Sequence, residues 1–294
     1  MDDTFEYGSY TPGDSLGPKP PRNPNGVGNR LDNCLLKETK SDLFTLITCS
    51  YNSPFITEAM LKTYCMHHEG KHRIIIVENS DPEDTTREML ATYNIPYIDG
   101  NKILPSGPIP EGHAWARSHH AGLDWAVRNC ETPYCLIVDT DILFKQNLET
   151  WFDFFANNEQ IALLGPHFDR CEAQAPGQNV GKEKFVLPRV HPCFMMLDVE
   201  LFKKYDDLTF NGSPETGPAL MAEKLADDEC YDVGSYLFLR IWELGKQTSN
   251  IRHNVLYHHY GGASWASRKH LIHDFYEHKI SNNLSSIDIT NKYY

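Results

Sequence analysis

Two aspartates separated by one residue are the part of this sequence best suited to chemistry. Asp139 and Asp141 follow a short apolar run, residues 134–138, whose residue types favour a β-strand. Residues two apart in an extended segment point to the same side, so both carboxylates can bind one hard cation at the end of the strand. Such a cation can in turn hold a diphosphate. The pair therefore predicts metal-assisted chemistry on a nucleotide-linked substrate.

The composition is that of a globular protein. The chain has 294 residues, 40% of them hydrophobic and 12% aromatic, which is enough for a substantial core in one α/β domain. A net charge of −13 argues against nucleic-acid binding that depends on phosphate neutralisation. No run approaches the roughly 20 apolar residues of a membrane helix, and the N-terminus lacks the features of a signal peptide. These observations predict a cytoplasmic protein without a membrane span.

The spacing of cysteines and histidines argues against several other classes of site. The eight cysteines are scattered and form no CxxC pair, so neither a zinc knuckle nor a disulfide scaffold is indicated. The 14 histidines include no HExxH spacing, which disfavours a metal-dependent hydrolase.

Strands that alternate with helices must position the two aspartates. Strands are predicted at 43–48, 73–77, 95–98 and 134–138, with helices at 54–67, 82–93 and 112–129 between them. This alternation is typical of a parallel, doubly wound sheet, in which ligands bind beyond the carboxyl ends of the strands. Polar residues follow three of these strands, at 48–51, 78–81 and 139–141. We expect these three strand ends to converge on one crevice.

The second half of the chain is less regular. Strands are predicted at 161–164, 193–197 and 255–257, helices around 151–155 and at 198–205 and 232–244, and loops at 99–111, 169–187 and 207–228. The predicted domain organisation is a tail or surface arm (1–40), one catalytic domain with a nucleotide-sugar half (41–145) and an acceptor half (146–265), and a C-terminal helical extension (266–294).

The order of motifs over residues 43–262 resembles the metal-dependent glycosyltransferases of the GT-A fold, most closely glycosyltransferase family 2. The resemblance is carried by five segments in the family's order: 46–52, 76–81, 116–126, the DxD motif at 139–141, and the helix 232–240. The chain has Glu78 where the family often has Asp, and His119 or His120 where it often has Asn. Around Asp232, Asp-x-Gly replaces the usual Glu-Asp pair.

The resemblance implies a fold and an activity. The implied fold is α/β, a single-domain, Rossmann-like GT-A fold with a mixed, mainly parallel sheet flanked by helices. The implied activity is hexosyl-type glycosyl transfer from a nucleotide-diphosphate sugar, with a UDP-sugar as predicted donor, to a hydroxyl of a glycan or another acceptor. Mn²⁺ or Mg²⁺ is the implied cofactor. An inverting reaction is the first interpretation, and the alternatives are a retaining enzyme of the same fold and a non-catalytic nucleotide- or sugar-binding domain.

The resemblance also implies catalytic and metal-binding residues. Asp139 and Asp141 would bind the metal. A late histidine, His258 or His259, would be a third ligand, and adjacent strand residues point oppositely, so only one of the two fits. His258 is the preferred choice, and the alternative is that the histidines only stack or pack. Asp232 would be the base that deprotonates the acceptor, unless it only caps its helix. The neighbouring Asp227, Asp228 and Glu229 are alternatives for this base.

A second set of residues is predicted to contact the donor. Thr48, Tyr51 and Glu78 would hold the base and the ribose, unless Glu78 is only a surface charge. Thr140, between the two aspartates, belongs to the same set. Arg117 would contact the diphosphate or the sugar, unless it forms a salt bridge on the surface of its helix.

Overall fold

A computed structural model of the chain describes residues 43–68, 73–103, 114–168, 171–172, 185–210, 229–230, 233–251 and 256–259. For 101, 114–118, 171–172, 185–186, 229–230 and 258, this description covers the backbone alone. The predicted N-terminal arm and C-terminal extension lie outside the described residues.

The first half alternates strands and helices up to the paired aspartates. In chain order its elements are β1 (Phe44–Ser50), α1 (Pro54–His67), β2 (Arg73–Glu78), α2 (Thr86–Thr92), β3 (Ile98–Asp99), α3 (Ala114–Arg128) and β4 (Tyr134–Asp139). A single 3₁₀ turn, Gly100–Lys102, follows β3. The predicted alternation is confirmed.

The second half consists mainly of short strands. In chain order its elements are β5 (Ile142–Phe144), α4 (Glu149–Ala156), β6 (Ile161–Gly165), β7 (His167–Phe168), β8 (Cys171–Glu172), β9 (Phe185–Val186), β10 (Arg189–Val190), β11 (Phe194–Asp198), α5 (Val199–Lys204), β12 (Glu229–Cys230), α6 (Ser235–Glu243), β13 (Gln247–Asn250) and β14 (Tyr257–His259). None of the helices in the described part of the chain has the length and apolar character needed to cross a membrane.

A seven-stranded sheet forms the centre of the molecule, in the order β13-β6-β11-β4-β1-β2-β3. β11 runs antiparallel to both of its neighbours, and the other pairings are parallel. The direction of β11 follows from its entry point, because the turn before it lies at the carboxyl end of β4, where the Asp139 amide donates to the Cys193 carbonyl at 3.2 Å. The mixed, mainly parallel sheet of the predicted fold class is thereby confirmed.

The register of the central strands brings the polar strand ends together. Ser50 pairs with Glu78 between β1 and β2, and Cys49 pairs with Asp139 between β1 and β4. The three carboxyl ends therefore lie side by side at one edge of the sheet, which confirms that they converge as predicted.

Apolar side chains cover both faces of the sheet. On one face, the β1 residue Leu46 packs in a cluster with Tyr64 of α1 and Phe152 of α4. On the other face, Ile47 shares a cluster with Leu123 of α3 and with residues of α5 and α6. Alternate residues of β1 point to opposite faces, so one strand supplies both layers.

One glycine sets how closely α3 approaches the sheet. A Cβ at Gly122 would lie 3.0 Å from both Cys49 Sγ and Val77 Cγ1. The absent side chain lets α3 pack directly on β1 and β2. His119, one helical turn before Gly122, thereby comes close to the end of β4.

Two predicted boundaries in the first half are wrong. The second helix begins at Thr86 instead of Pro82, since the Asp84 carboxylate accepts the Thr86 amide at 2.8 Å and thereby satisfies a donor of the first helical turn. The third strand is two residues long and begins at Ile98, because Ile95 still closes the end of α2 by donating its amide to the Leu90 carbonyl.

Two further elements differ in the second half. The helix predicted from residue 232 begins at Ser235, because Gly234 before it has a left-handed backbone with φ of 84°. Strand β13 was not predicted, since its sequence Gln-Thr-Ser-Asn contains no apolar residue.

Candidate metal centre

The link between β4 and β5 places the two aspartates. Asp139 is the last residue of β4, and Asp141 immediately precedes β5. Strand β14 pairs antiparallel with β5 in a register that sets His259 opposite Ile142. His259 therefore lies beside Asp141, although more than a hundred residues separate them in the sequence.

Asp139, Asp141 and His259 form a group with the donor atoms of a metal site. Their ligand atoms lie within 4.8 Å of one another, and His259 Nε2 is 3.3 Å from Asp141 Oδ1. The Asp141 residue is 6% exposed, whereas the side chain of Asp139 is 27% exposed. Two carboxylates and one imidazole suit a divalent cation. The partly exposed Asp139 leaves one side of the group accessible to a substrate.

The charges of the aspartates act directly on His259. Burial alone would lower the pKa of His259, but the hydrogen bond and charge of Asp141, together with the charge of Asp139, outweigh burial and raise this pKa. The two carboxylates thus favour the protonated form of His259, whose charge compensates theirs in the metal-free protein. A metal ion takes over this role only when His259 releases its proton.

A second histidine approaches the group from α3. His119 Nε2 lies 3.9 Å from Asp139 Oδ1. Burial and the neighbouring His120 lower the pKa of His119 to about 3, in spite of the charge of Asp141. The imidazole is therefore neutral at pH 7, and its contact with Asp139 is not an ion pair.

A third histidine, His191, lies near His259. Its ring centroid is 6.2 Å from that of His259 and 5.0 Å from that of Phe168. Burial is the main cause that lowers the pKa of His191 well below its usual value, with further contributions from Arg189 and His259. The sequence did not predict that His119 and His191 lie beside the metal group, because their approach depends on how α3 and the turn before β11 pack.

Two of the predicted nucleotide contacts lie in or near the crevice. The Tyr51 hydroxyl donates to Asp81 Oδ2 at 3.3 Å, and Asn52 Nδ2 donates to the same oxygen at 2.7 Å. Asn52 has a left-handed backbone with φ of 44°, and its Oδ1 accepts the Asp81 amide at 2.9 Å. These bonds join the segment after β1, which carries Tyr51, to the segment after β2. Thr140 lies between the aspartates and is 8% exposed.

Glu78 forms hydrogen bonds and an ion pair with other residues of the protein. Its side chain is fully buried, Oε1 accepts the Ser80 amide at 2.6 Å, and Oε2 accepts from Arg87 Nε at 2.5 Å. Arg87 also donates to the Ser80 carbonyl at 3.1 Å. Glu78 thus joins the end of β2 to α2, and its predicted contact with the ribose stays a prediction.

Thr48 is not brought to the metal group. The residue is fully buried, and its register partner in β4 is Val138, which belongs to the apolar layer beneath α1. Asp139 pairs with Cys49, the next residue of β1, so Thr48 and Asp139 face opposite sides of the sheet. Its contact with the nucleotide also stays a prediction.

Three further predicted residues cannot be placed in the site. The side chains of Arg117, in α3, and His258, in β14, lie outside the described residues, as does all of Asp232. The described member of the histidine pair, His259, is the one that meets the aspartates.

No protein-family model matches the chain, and no curated protein sequence is significantly similar to it. Among solved structures, the chain is similar to a mannosyltransferase from Pyrobaculum calidifontis in complex with GDP-Man and Mn²⁺, with 14% identity, coverage of 84% of this chain and 69% of that one, and a TM-score of 0.46. It is also similar to an active-site mutant of the galactosyltransferase LgtC, with 12% identity, coverage of 81% and 95%, and a TM-score of 0.44. Mouse xyloside xylosyltransferase 1 shares 14% identity, with coverage of 80% and 92% and a TM-score of 0.41. At these levels of identity, the activity of the present chain has to be inferred from its own residues.

Proposed function

We propose that this protein transfers a sugar from a nucleotide-diphosphate sugar to an acceptor hydroxyl with the help of a divalent cation. One observation carries the proposal: Asp139, Asp141 and His259 lie together at the carboxyl end of β4, with ligand atoms within 4.8 Å of one another. This edge is where ligands bind in sheets of this class. The buried carboxylate of Asp141, with a second carboxylate beside it, is costly unless a cation compensates the two charges.

The three side chains would bind Mn²⁺ or Mg²⁺ from different sides. Asp141 and His259, which are mostly buried, would hold the ion from the protein side. Asp139, with its exposed edge, would face the diphosphate. The ion supplies positive charge that stabilises the departing diphosphate as the bond to the sugar breaks.

The nucleotide would lie over the ends of β1 and β2, and UDP is the proposed nucleotide. The Tyr51 hydroxyl is held by its bond to Asp81, and the ring would stack on the nucleotide base. Thr140 and Arg117 would contact the diphosphate from the β4–β5 link and from α3.

Asp232 is the proposed base, and the proposed reaction inverts the anomeric centre. The support for Asp232 comes from the start of α6, the helix that follows it in the sequence. There, Ser235 Oγ donates to the Leu187 carbonyl at 3.1 Å. Gly234 also lies close to β10, since a Cβ on it would be 2.9 Å from the Val190 carbonyl oxygen. The helix thus begins against β10, and β10 leads into the turn that bonds to Asp139.

A panel of UDP- and GDP-sugars tests the proposal, with hydrolysis and transfer measured in Mn²⁺, Mg²⁺ or a chelator. We expect metal-dependent turnover of at least one donor, and a loss of about 100-fold or more in Asp141→Asn, since this variant lacks a charged ligand. The matched control is Asp153→Asn, at an exposed position of α4, which should retain the wild-type rate. Undiminished metal-dependent turnover in Asp141→Asn would refute the proposal.

A further inference from the structure

The backbone and one ring nitrogen hold His191 in a fixed position. Its amide donates to the Pro166 carbonyl at 3.0 Å, its carbonyl accepts from the Phe194 amide at 3.4 Å, and its Nδ1 accepts from the Cys193 amide at 3.0 Å. Gly165 permits this arrangement, because a Cβ there would lie 2.4 Å from the Phe194 carbonyl oxygen. The ring orientation is thus set by the fold before any ligand binds.

The bond to Cys193 determines which ring nitrogen carries the proton. A backbone amide can only donate, so Nδ1 of His191 must be an acceptor and cannot carry hydrogen. A doubly protonated ring is excluded for the same reason. The ring is therefore neutral with its proton on Nε2, which makes Nε2 a hydrogen-bond donor and not a metal ligand.

The ring of His191 lies near the metal centre, and its Nε2–H has no hydrogen-bond partner among the residues that the structure describes. The turn that carries His191 is bonded to the centre, since the Cys193 carbonyl accepts the Asp139 amide at 3.2 Å, and the ring centroid is 6.2 Å from that of His259. Within the described residues, the bond from Cys193 is the one hydrogen bond of this ring. A fixed donor beside a group that can hold a cation is suited to an anionic oxygen bound to that cation.

We propose that His191 donates a hydrogen bond from Nε2 to an oxygen of the diphosphate bound at the Asp139, Asp141 and His259 centre. The inference rests on the proposed function, and it assigns a residue that recognises the leaving group. His191 thus complements the cation with a directed neutral donor, which stabilises a diphosphate oxygen without binding the metal itself.

Two amide variants separate the two ring nitrogens. Asn in place of His191 can still accept the Cys193 amide at the position of Nδ1 but is too short to donate from the position of Nε2, whereas Gln reaches the position of Nε2. Calorimetry measures the binding of Mn²⁺ alone, and of pyrophosphate and UDP in saturating Mn²⁺. We expect His191→Asn to bind both phosphate ligands about tenfold or more weakly, as for a lost hydrogen bond to a charged group. His191→Gln should stay within about threefold of wild type.

Metal affinity and the tautomer provide the controls. Mn²⁺ alone should bind both variants as it binds wild type, and ¹⁵N NMR should show the His191 proton on Nε2. Unchanged phosphate binding in His191→Asn, an equal loss in both variants, a parallel loss of Mn²⁺ affinity, no pyrophosphate binding to wild type, or a proton on Nδ1 would each overturn the inference. If the pyrophosphate result holds while no nucleotide sugar is turned over, the proposed function fails and the role of His191 stands.

Discussion

At the level of single residues, the register of β14 against β5 determines which histidine meets the aspartates. His258 and His259 are adjacent, so the alternation of strand side chains allows only one of them to face Asp141. The sequence alone does not indicate which of the two histidines faces the aspartates. The choice depends on the register between β14 and β5, a three-residue strand that is distant from β14 in the sequence.

The metal affinity of the centre should depend on pH through His259. The raised pKa of His259 means that protons compete with the metal for this ring at higher pH than they would for a free histidine. We expect the affinity for Mn²⁺ to fall about tenfold per unit as the pH drops below this pKa and to level off above it. Calorimetric titrations between pH 6 and 9 would measure this dependence, and His259→Gln should bind more weakly with a flatter profile.

The raised pKa of His259 gives the stability of the metal-free protein the opposite pH dependence. A folded-state pKa above the unfolded value stabilises the fold at low pH, and this contribution disappears as the pH rises through the folded pKa. Thermal stability without metal should therefore decline toward alkaline pH by more in wild type than in His259→Gln. An Mn²⁺ affinity without pH dependence in wild type, or with the same slope in both proteins, would contradict this role of His259.

At the level of elements, a buried network fixes the carboxyl end of β2. Glu78, fully buried, joins the Ser80 amide to Arg87, and the guanidinium of Arg87 is also 3.6 Å from the Asp99 carboxylate of β3. The network therefore ties β2, α2 and β3 together. Ser80 in turn accepts the Asn52 amide at 2.7 Å, which extends it to the end of β1.

Replacing the charge of Glu78 should destabilise the fold. In Glu78→Gln the amide oxygen can still accept from Ser80, but Arg87 loses its buried counterion. We expect a loss of about 2 kcal/mol in the free energy of unfolding, below the full cost of an unpaired buried charge because Arg87 is 28% exposed.

The matched control is Glu88→Gln, at an exposed position of α2, which should change the free energy of unfolding by less than about 0.5 kcal/mol. Chemical denaturation at pH 7 measures both variants. Equal stability of the two would show that the network does not hold the strand end.

The elements that the sequence predicted well are those with a strong local pattern. β1, β2 and β4 are apolar runs, and α1 begins at Pro54, the proline expected at its first position. β13 was missed since its residues are polar and its strand conformation is fixed by parallel pairing with β6. The start of α2 was predicted at Pro82, but the helix begins at Thr86, where the Asp84 carboxylate accepts the Thr86 amide of the first turn.

At the level of the whole molecule, the mixed sheet gathers residues from distant parts of the chain at one edge. Asp139 from β4, His119 from α3, and His191 from the turn before β11 lie around the centre, and His259 arrives from β14. The two aspartates and the fold class were predictable from motif order and strand pattern. The arrangement of the histidines was not, because it depends on long-range pairing and on the packing of α3 at Gly122.

The most direct test of this account is to identify the ligands of bound Mn²⁺. Electron–nuclear double resonance of the Mn²⁺ and UDP complex, on protein with ¹⁵N-labelled histidine, detects nitrogen bound to the ion. We expect coupling to one histidine nitrogen in wild type and in His258→Gln, and its loss in His259→Gln, with weak or absent Mn²⁺ binding in Asp141→Asn. Coupling that persists in His259→Gln, or Mn²⁺ binding that is unchanged in Asp141→Asn, would show that the ion lies elsewhere.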